Sequence, residues 1–87
     1  GGGTVNWTRR KADNGFDHLH HVLTLNNGDE ILLWRKESKY GATIYGCFPD
    51  SLSRIFHVPS WEWVIIGRTI RDTKKRVEAY VEYMRGV

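Results

Sequence analysis

The chain has 87 residues, 40% of them hydrophobic, and 13 Lys and Arg against 10 Asp and Glu give a net charge of +3. That length makes one domain, which buries only about 60–65% of its unfolded surface and leaves little room for an enclosed pocket of roughly 300–1,000 Å³. No apolar run nears the ~20 residues of a membrane helix, and a single cysteine, Cys47, excludes an internal disulfide and points to a reducing, cytoplasmic setting.

A small domain needs a dense core, and four Trp, four Tyr and three Phe supply it. Cys47 has no activating base nearby in sequence and reads as a packed thiol, not a nucleophile. Gly1, Gly2 and Gly3 are set aside as an expression scar, leaving 4–87 as one α+β domain. No signal peptide is visible, so the Asn6-Trp7-Thr8 glycosylation triplet is discounted.

Residues 4–10 alternate Val5 and Trp7 with Asn6 and Thr8, the period of a strand near a sheet edge. Residues 12–17 carry turn chemistry centred on Asn14-Gly15. Residues 18–25 and 30–36 flank Asn26-Asn27-Gly28-Asp29, a strong hairpin signature. Either Asn27-Gly28 forms a two-residue type I′ turn, or Asn26-Asn27-Gly28 forms a three-residue loop with a bulge at Gly28. The two differ by one residue of pairing, so the faces of His20 and Trp34 stay open at this point.

Residues 37–41 form a second turn and 42–48 a third hairpin-connected strand, ended by Pro49. Leu52, Ile55 and Phe56 then recur at helical spacing behind Asp50 or Ser51 as N-cap, which favours a short helical turn over a strand. Residues 61–67 read as the last strand, apolar enough to be central. From residue 70, Ile70, Thr73, Val77, Tyr80, Val81 and Met84 trace one helix face. Thr69 caps its start, with Asp72 three residues on, and Gly86 supplies the stop. The fold class is therefore α+β. A four- to five-stranded antiparallel sheet of meander-like hairpins packs on one C-terminal amphipathic helix, with a short helical turn near 50–57.

Two sets of cations are candidate binding residues. Arg68, Arg71, Lys74 and Lys75, with Arg76, crowd the start of the last helix against one acid, Asp72. Cations there oppose the helix dipole by about 0.3–1 kcal/mol each, and a bound phosphate would reverse the conflict. The plainer alternative is a solvated face, softened by Asp72–Arg76 and Lys74–Glu78 pairs. The second set is Arg9, Arg10 and Lys11 with Arg35, Lys36 and Lys39, interleaved with Trp7, Trp34 and Tyr40. It suits stacked bases and phosphates, or else the rings point inward and the charges guard strand edges.

The Asp17-His18-Leu19-His20-His21 run offers at most two ligands on one strand face, with His57 and Cys47 remote in sequence. A zinc site needs three or four, so no metal and no cofactor are expected. There is no P-loop, G-x-G-x-x-G or G-x-S-x-G, and Asp29-Glu30 falls in a turn, so no enzyme is expected. The reading is a small non-enzymatic binding module, directed at a nucleic-acid backbone through Arg9, Arg10, Lys11, Arg35, Lys36, Lys39, Arg68, Arg71, Lys74 and Lys75. The alternative is a protein-interaction or inhibitory module, of the kind found among small phage accessory proteins, using exposed aromatics or an edge strand, self-pairing included. The two readings divide on placement. Cations gathered on one face favour nucleic acid, and dispersed or neutralised cations favour a protein.

Overall fold

A computed structural model of the chain describes residues 6–11 and 19–85. The elements are β1 (Trp7–Lys11), β2 (Leu19–Thr24), β3 (Glu30–Ser38), β4 (Gly41–Cys47), α1 (Asp50–Phe56), β5 (Val64–Gly67) and α2 (Ile70–Arg85). The strands form one antiparallel sheet in chain order, β1-β2-β3-β4-β5, with the longest helix last, as the hydrophobic pattern predicts. Expected features at residues 4, 5, 12–18 and 86 lie outside the described residues.

The β2–β3 hairpin settles the open register. The Leu25 N–H donates to the Asp29 carbonyl at 2.7 Å, the Gly28 N–H donates to the Leu25 carbonyl at 3.0 Å, and Gly28 has φ 91°. This is the three-residue loop with its bulge at the glycine, where a side chain would be strained. The Asp29 N–H donates to Oδ1 of Asn27 at 2.9 Å and fastens the loop. The register sets Leu23 opposite Ile31 and His21 opposite Leu33. The β3–β4 turn is Lys39-Tyr40, between Ser38 and its partner Gly41.

Pro49 ends β4 as expected, and it also takes the N-cap position of α1 in place of Asp50 or Ser51. Its carbonyl accepts the Leu52 and Ser53 N–H groups, each at 3.0 Å, with no side-chain cap. Proline suits this place because a helix start has spare N–H groups anyway. At α2 the predicted cap forms, and Oγ1 of Thr69 accepts the Asp72 N–H at 3.2 Å.

The core lies on one face of the sheet. Leu23, Ile31, Leu33, Ile44 and Phe48 pack against Leu52 of α1 and against Val77 and Val81 of α2. Phe48 stacks on Phe56 with centroids 4.4 Å apart, and Phe56 meets the edge of Tyr80 at 4.7 Å. Gly46 lies under these rings. A β-carbon there would sit 2.6 Å from Cδ1 of Ile66 and 2.8 Å from Cε2 of Phe48. Gly46→Ala is therefore an overpacking change, with an expected cost of about 1–3 kcal/mol in chemical denaturation. An unchanged midpoint would mean the rings move aside freely.

One expectation is corrected. The last strand, β5, is not central but an edge strand, paired only with β4. Apolar residues on both sides of a strand report that both faces want burial. They do not report where the strand sits, and in a meander the last strand takes an edge.

Candidate functional site

Among the described residues both helices pack on one face of the sheet, and the other, the bare face, carries no helix. Trp7 donates its indole N–H to Oε1 of Glu78 on α2 at 2.9 Å, which fixes the helix-bearing side of β1. By strand alternation Arg9 and Lys11 share that side, while Thr8 and Arg10 point the other way. On β3, Ile31 and Leu33 face the helices, so Leu32, Trp34 and Lys36 face away. Tyr45 and Ile65 pair across β4 and β5 on this second face.

The second face has no helix over it, yet it is apolar. Trp34 and Tyr45 are cross-strand partners with stacked rings 5.3 Å apart. The Trp63 ring lies 5.1 Å from that of His20, a residue of β2, so Trp63 reaches over the sheet from the β5 side. Beneath this layer Val22 is fully buried and Cys47 nearly so, and burial pushes the Cys47 thiol above its usual range. Towards the β5 edge the cover ends, with Trp63 42% and Ile65 65% exposed. An antiparallel sheet with one solvated face normally shows polar residues there.

Arg10 and Glu30 close the β1 side of this face. Arg10 donates to both Glu30 oxygens, at 2.9 and 2.6 Å, and the ion pair crosses above Val22. The hydrogen bonds from Arg10 hold the Glu30 carboxyl below the usual carboxylate range. A lowered folded value stabilises the fold above the ordinary carboxylate range, and the contribution is lost as pH falls through that lower value. Arg10→Gln should therefore flatten the acid limb of the stability curve, checked by denaturation at several pH values. An unaltered acid limb would show that this pair contributes nothing.

The segment 57–63 presents Trp61 and Trp63, the first of them from a strained backbone. His57 has φ 55° and Trp61 φ 58°, left-handed values that a bulky side chain rarely adopts. The Trp61 N–H donates to the Phe48 carbonyl at 2.7 Å, the Val58 N–H to the Ser53 carbonyl at 3.0 Å, and the Ser60 hydroxyl to that of Ser53 at 3.1 Å. These ties hold Trp61, 52% exposed, in a fixed pose. Strain of this kind costs on the order of 1–3 kcal/mol and concentrates at binding sites.

The ten candidate cations divide. Arg10 lies on the bare face in its ion pair, and Lys36 points to the same side. Arg35 faces the helix side and pairs with Glu37 at 2.5 Å. Lys39, at the β3–β4 turn, lies 5.1 Å over the Tyr40 ring. Arg68, Arg71 and Lys75 are exposed around the start of α2, and Lys75 sits opposite the buried stripe of Thr73, Val77 and Val81. Arg76, also in this stretch, donates to the Ile66 carbonyl on β5. One subset does converge. Arg9 and Lys74 approach each other beside His21, with the Lys74 ammonium 5.3 Å over the Trp7 ring. Lys11 lies two residues along from Arg9 on the same side.

Sequence reasoning singled out Trp34 but missed Leu32, Tyr45, Trp63 and Ile65 as a surface. The signal was present in the unbroken runs Ile31-Leu32-Leu33-Trp34 and Val64-Ile65-Ile66, in a chain with a single long helix. Such runs want cover on both faces. Hollows of about 210 Å³ between Leu25, Leu52, Val81 and Met84, about 380 Å³ between Ile55, Arg76 and Tyr80, and about 460 Å³ between Ser53, His57 and Pro59 lie on the surface of the domain. Among the described residues no three His, Cys, Asp or Glu gather as metal ligands, and no helix is long and apolar enough to cross a membrane. Comparison with protein-family models, with curated proteins and with solved structures finds no match to this chain.

Proposed function

We propose that this domain is a non-enzymatic protein-binding module whose partner covers the bare sheet face and the β5 edge. The observation that carries this reading is the apolar layer on the face away from the helices, half-buried at Leu32, Trp34 and Tyr45 and open to solvent at Trp63 and Ile65. Exposed apolar patches of this kind mark interaction sites, and Trp and Tyr are the residues that most often dominate interface energetics. The two edges of the sheet support the same assignment. Edge β1 carries Arg9, Arg10 and Lys11, which blunt strand pairing, whereas edge β5 is Val64-Ile65-Ile66-Gly67. The division of the cations between faces, with Arg10 and Arg35 in ion pairs, moves weight from a nucleic acid to a protein.

Capture of one stoichiometric protein by the immobilised domain, surviving nuclease treatment and lost on Ile65→Glu, is the expected result. Sedimentation of the isolated domain separates this from pairing of two copies. Capture that disappears with nuclease, or that persists in Ile65→Glu, overturns the reading.

A further inference from the structure

We propose that the helix-bearing side of the sheet carries a proton-coupled phosphate-binding site, built on Arg9 and Lys74 beside His21. It lies on the opposite side of the sheet from the apolar surface and stands independently of a partner there.

Like charges meet at this spot. Arg9 and His21 are cross-strand partners on β1 and β2, and Lys74 comes down on them from α2. Burial, then Lys74, then Arg9 hold the His21 imidazole below its ordinary value. Burial and Arg9 likewise lower Lys74, against the opposing pull of Glu78. Nδ1 of His21 is buried and has no hydrogen-bond partner among the described residues. Such groups are ordinarily satisfied, and an orphan calls for an explanation.

Among the described residues, to which the balance of charge here refers, the charged groups around His21 come from three elements. β1 gives Arg9, α2 gives Lys74 and Glu78, and β3 gives Arg35, already paired with Glu37. Glu78 is the one nearby acid on α2, and its Oε1 is engaged by the Trp7 indole. Positive charge therefore exceeds negative at this spot. A phosphate group meets the deficit, since it offers several strong acceptor oxygens to a guanidinium and an ammonium together. Lys11, exposed two residues beyond Arg9 on the same side of β1, extends the site for a phosphodiester chain.

The proton coupling follows by linkage. Burial is the largest cause of the lowered His21 value, and an anion between Arg9 and Lys74 offsets the part due to their charges, so binding favours uptake of a proton. By reciprocity, protonated His21 tightens the anion. Affinity then rises as pH falls through the bound-state value of His21 and levels off below its lowered free-state value.

The test uses fluorescence anisotropy with a short labelled single-stranded DNA, the matching RNA, and inorganic phosphate as competitor. Two phosphate contacts predict a slope of log affinity against log salt near −1.4, at about −0.7 per contact on a single strand. As pH is lowered from about 7.5 through and below the ordinary histidine value of about 6.5, affinity should rise about tenfold. Arg9→Glu and Lys74→Glu should each abolish binding, with Lys74→Gln standing in if the reversal disturbs folding. His21→Gln should bind at neutral pH but lose the pH dependence, and Lys36→Glu on the other face should change nothing. Oligonucleotide binding assigns the site to a phosphodiester chain. Saturable binding of inorganic phosphate alone, abolished by Arg9→Glu, assigns it to a free phosphate. No binding of any of the three, binding unchanged in Arg9→Glu, or a pH dependence that survives His21→Gln overturns the proposal.

Discussion

Phe48→Ala is expected to cost about 3–5 kcal/mol, the range for truncating a fully buried aromatic side chain. Phe48 has no exposed surface, stacks on Phe56, and joins Leu33 and Ile44 of the sheet to Leu52, Val77 and Val81 of the helices. A domain of this length has about 4–13 kcal/mol in total, at 0.05–0.15 kcal/mol per residue. The variant therefore stands near the limit of folding. Thermal melting should show a fall of at least about 12 °C, at roughly 4–8 °C for each kcal/mol in a domain of this size. A fall of less than about 4 °C would mean that the cavity collapses and that the sheet and helices do not depend on this ring.

The second large effect is on binding, not folding. Trp63→Ala and Ile65→Glu should each weaken capture of the protein partner by about 30-fold or more, the equivalent of a hot-spot loss of 2 kcal/mol. The physical reason differs between them. Trp63 supplies a large ring that already rests near His20, so little side-chain freedom is lost on docking. Ile65 is 65% exposed on an edge strand, so a carboxylate there places an unpaired charge in the middle of the buried contact. For the same reason Ile65→Glu should leave stability within about 0.5 kcal/mol. Titration calorimetry beside a thermal melt checks both. Lys75→Glu, on the solvent side of α2, serves as the control and should alter affinity less than twofold. If Ile65→Glu binds normally, the β5 edge is not part of the interface.

Much of the fold was legible from local chemistry. Asn-Gly between two β-rich runs specified the hairpin, Pro49 marked the end of β4, and Thr69 marked the start of α2. Each works within a few residues, where backbone preference decides the outcome. The hairpin register was not legible. A two-residue and a three-residue loop are both compatible with Asn26-Asn27-Gly28, and only packing of Leu23 and Ile31 into one core selects between them. That choice places His20 and Trp34 on the bare face and His21 on the covered one.

The same dependence explains why the candidate site was read unevenly. Arg9, Arg10 and Lys11 are consecutive, so a single strand sends them to opposite faces. Charge counted along the chain treats them as one cluster, whereas the pleat separates Arg10 and its Glu30 partner from Arg9 and Lys74. The apolar content of 61–67 was visible too, but it was assigned to burial within the sheet. In the folded chain that content lies at an edge, where its remaining exposure becomes the basis for a partner.

The most direct measurement of the central claim is hydrogen–deuterium exchange of the domain alone and with its captured protein. The account predicts slowed exchange in peptides covering 32–34, 43–47 and 63–66, with the outer side of α2 unchanged. Protection confined to β1 and α2, with β5 exchanging as in the free domain, would contradict it.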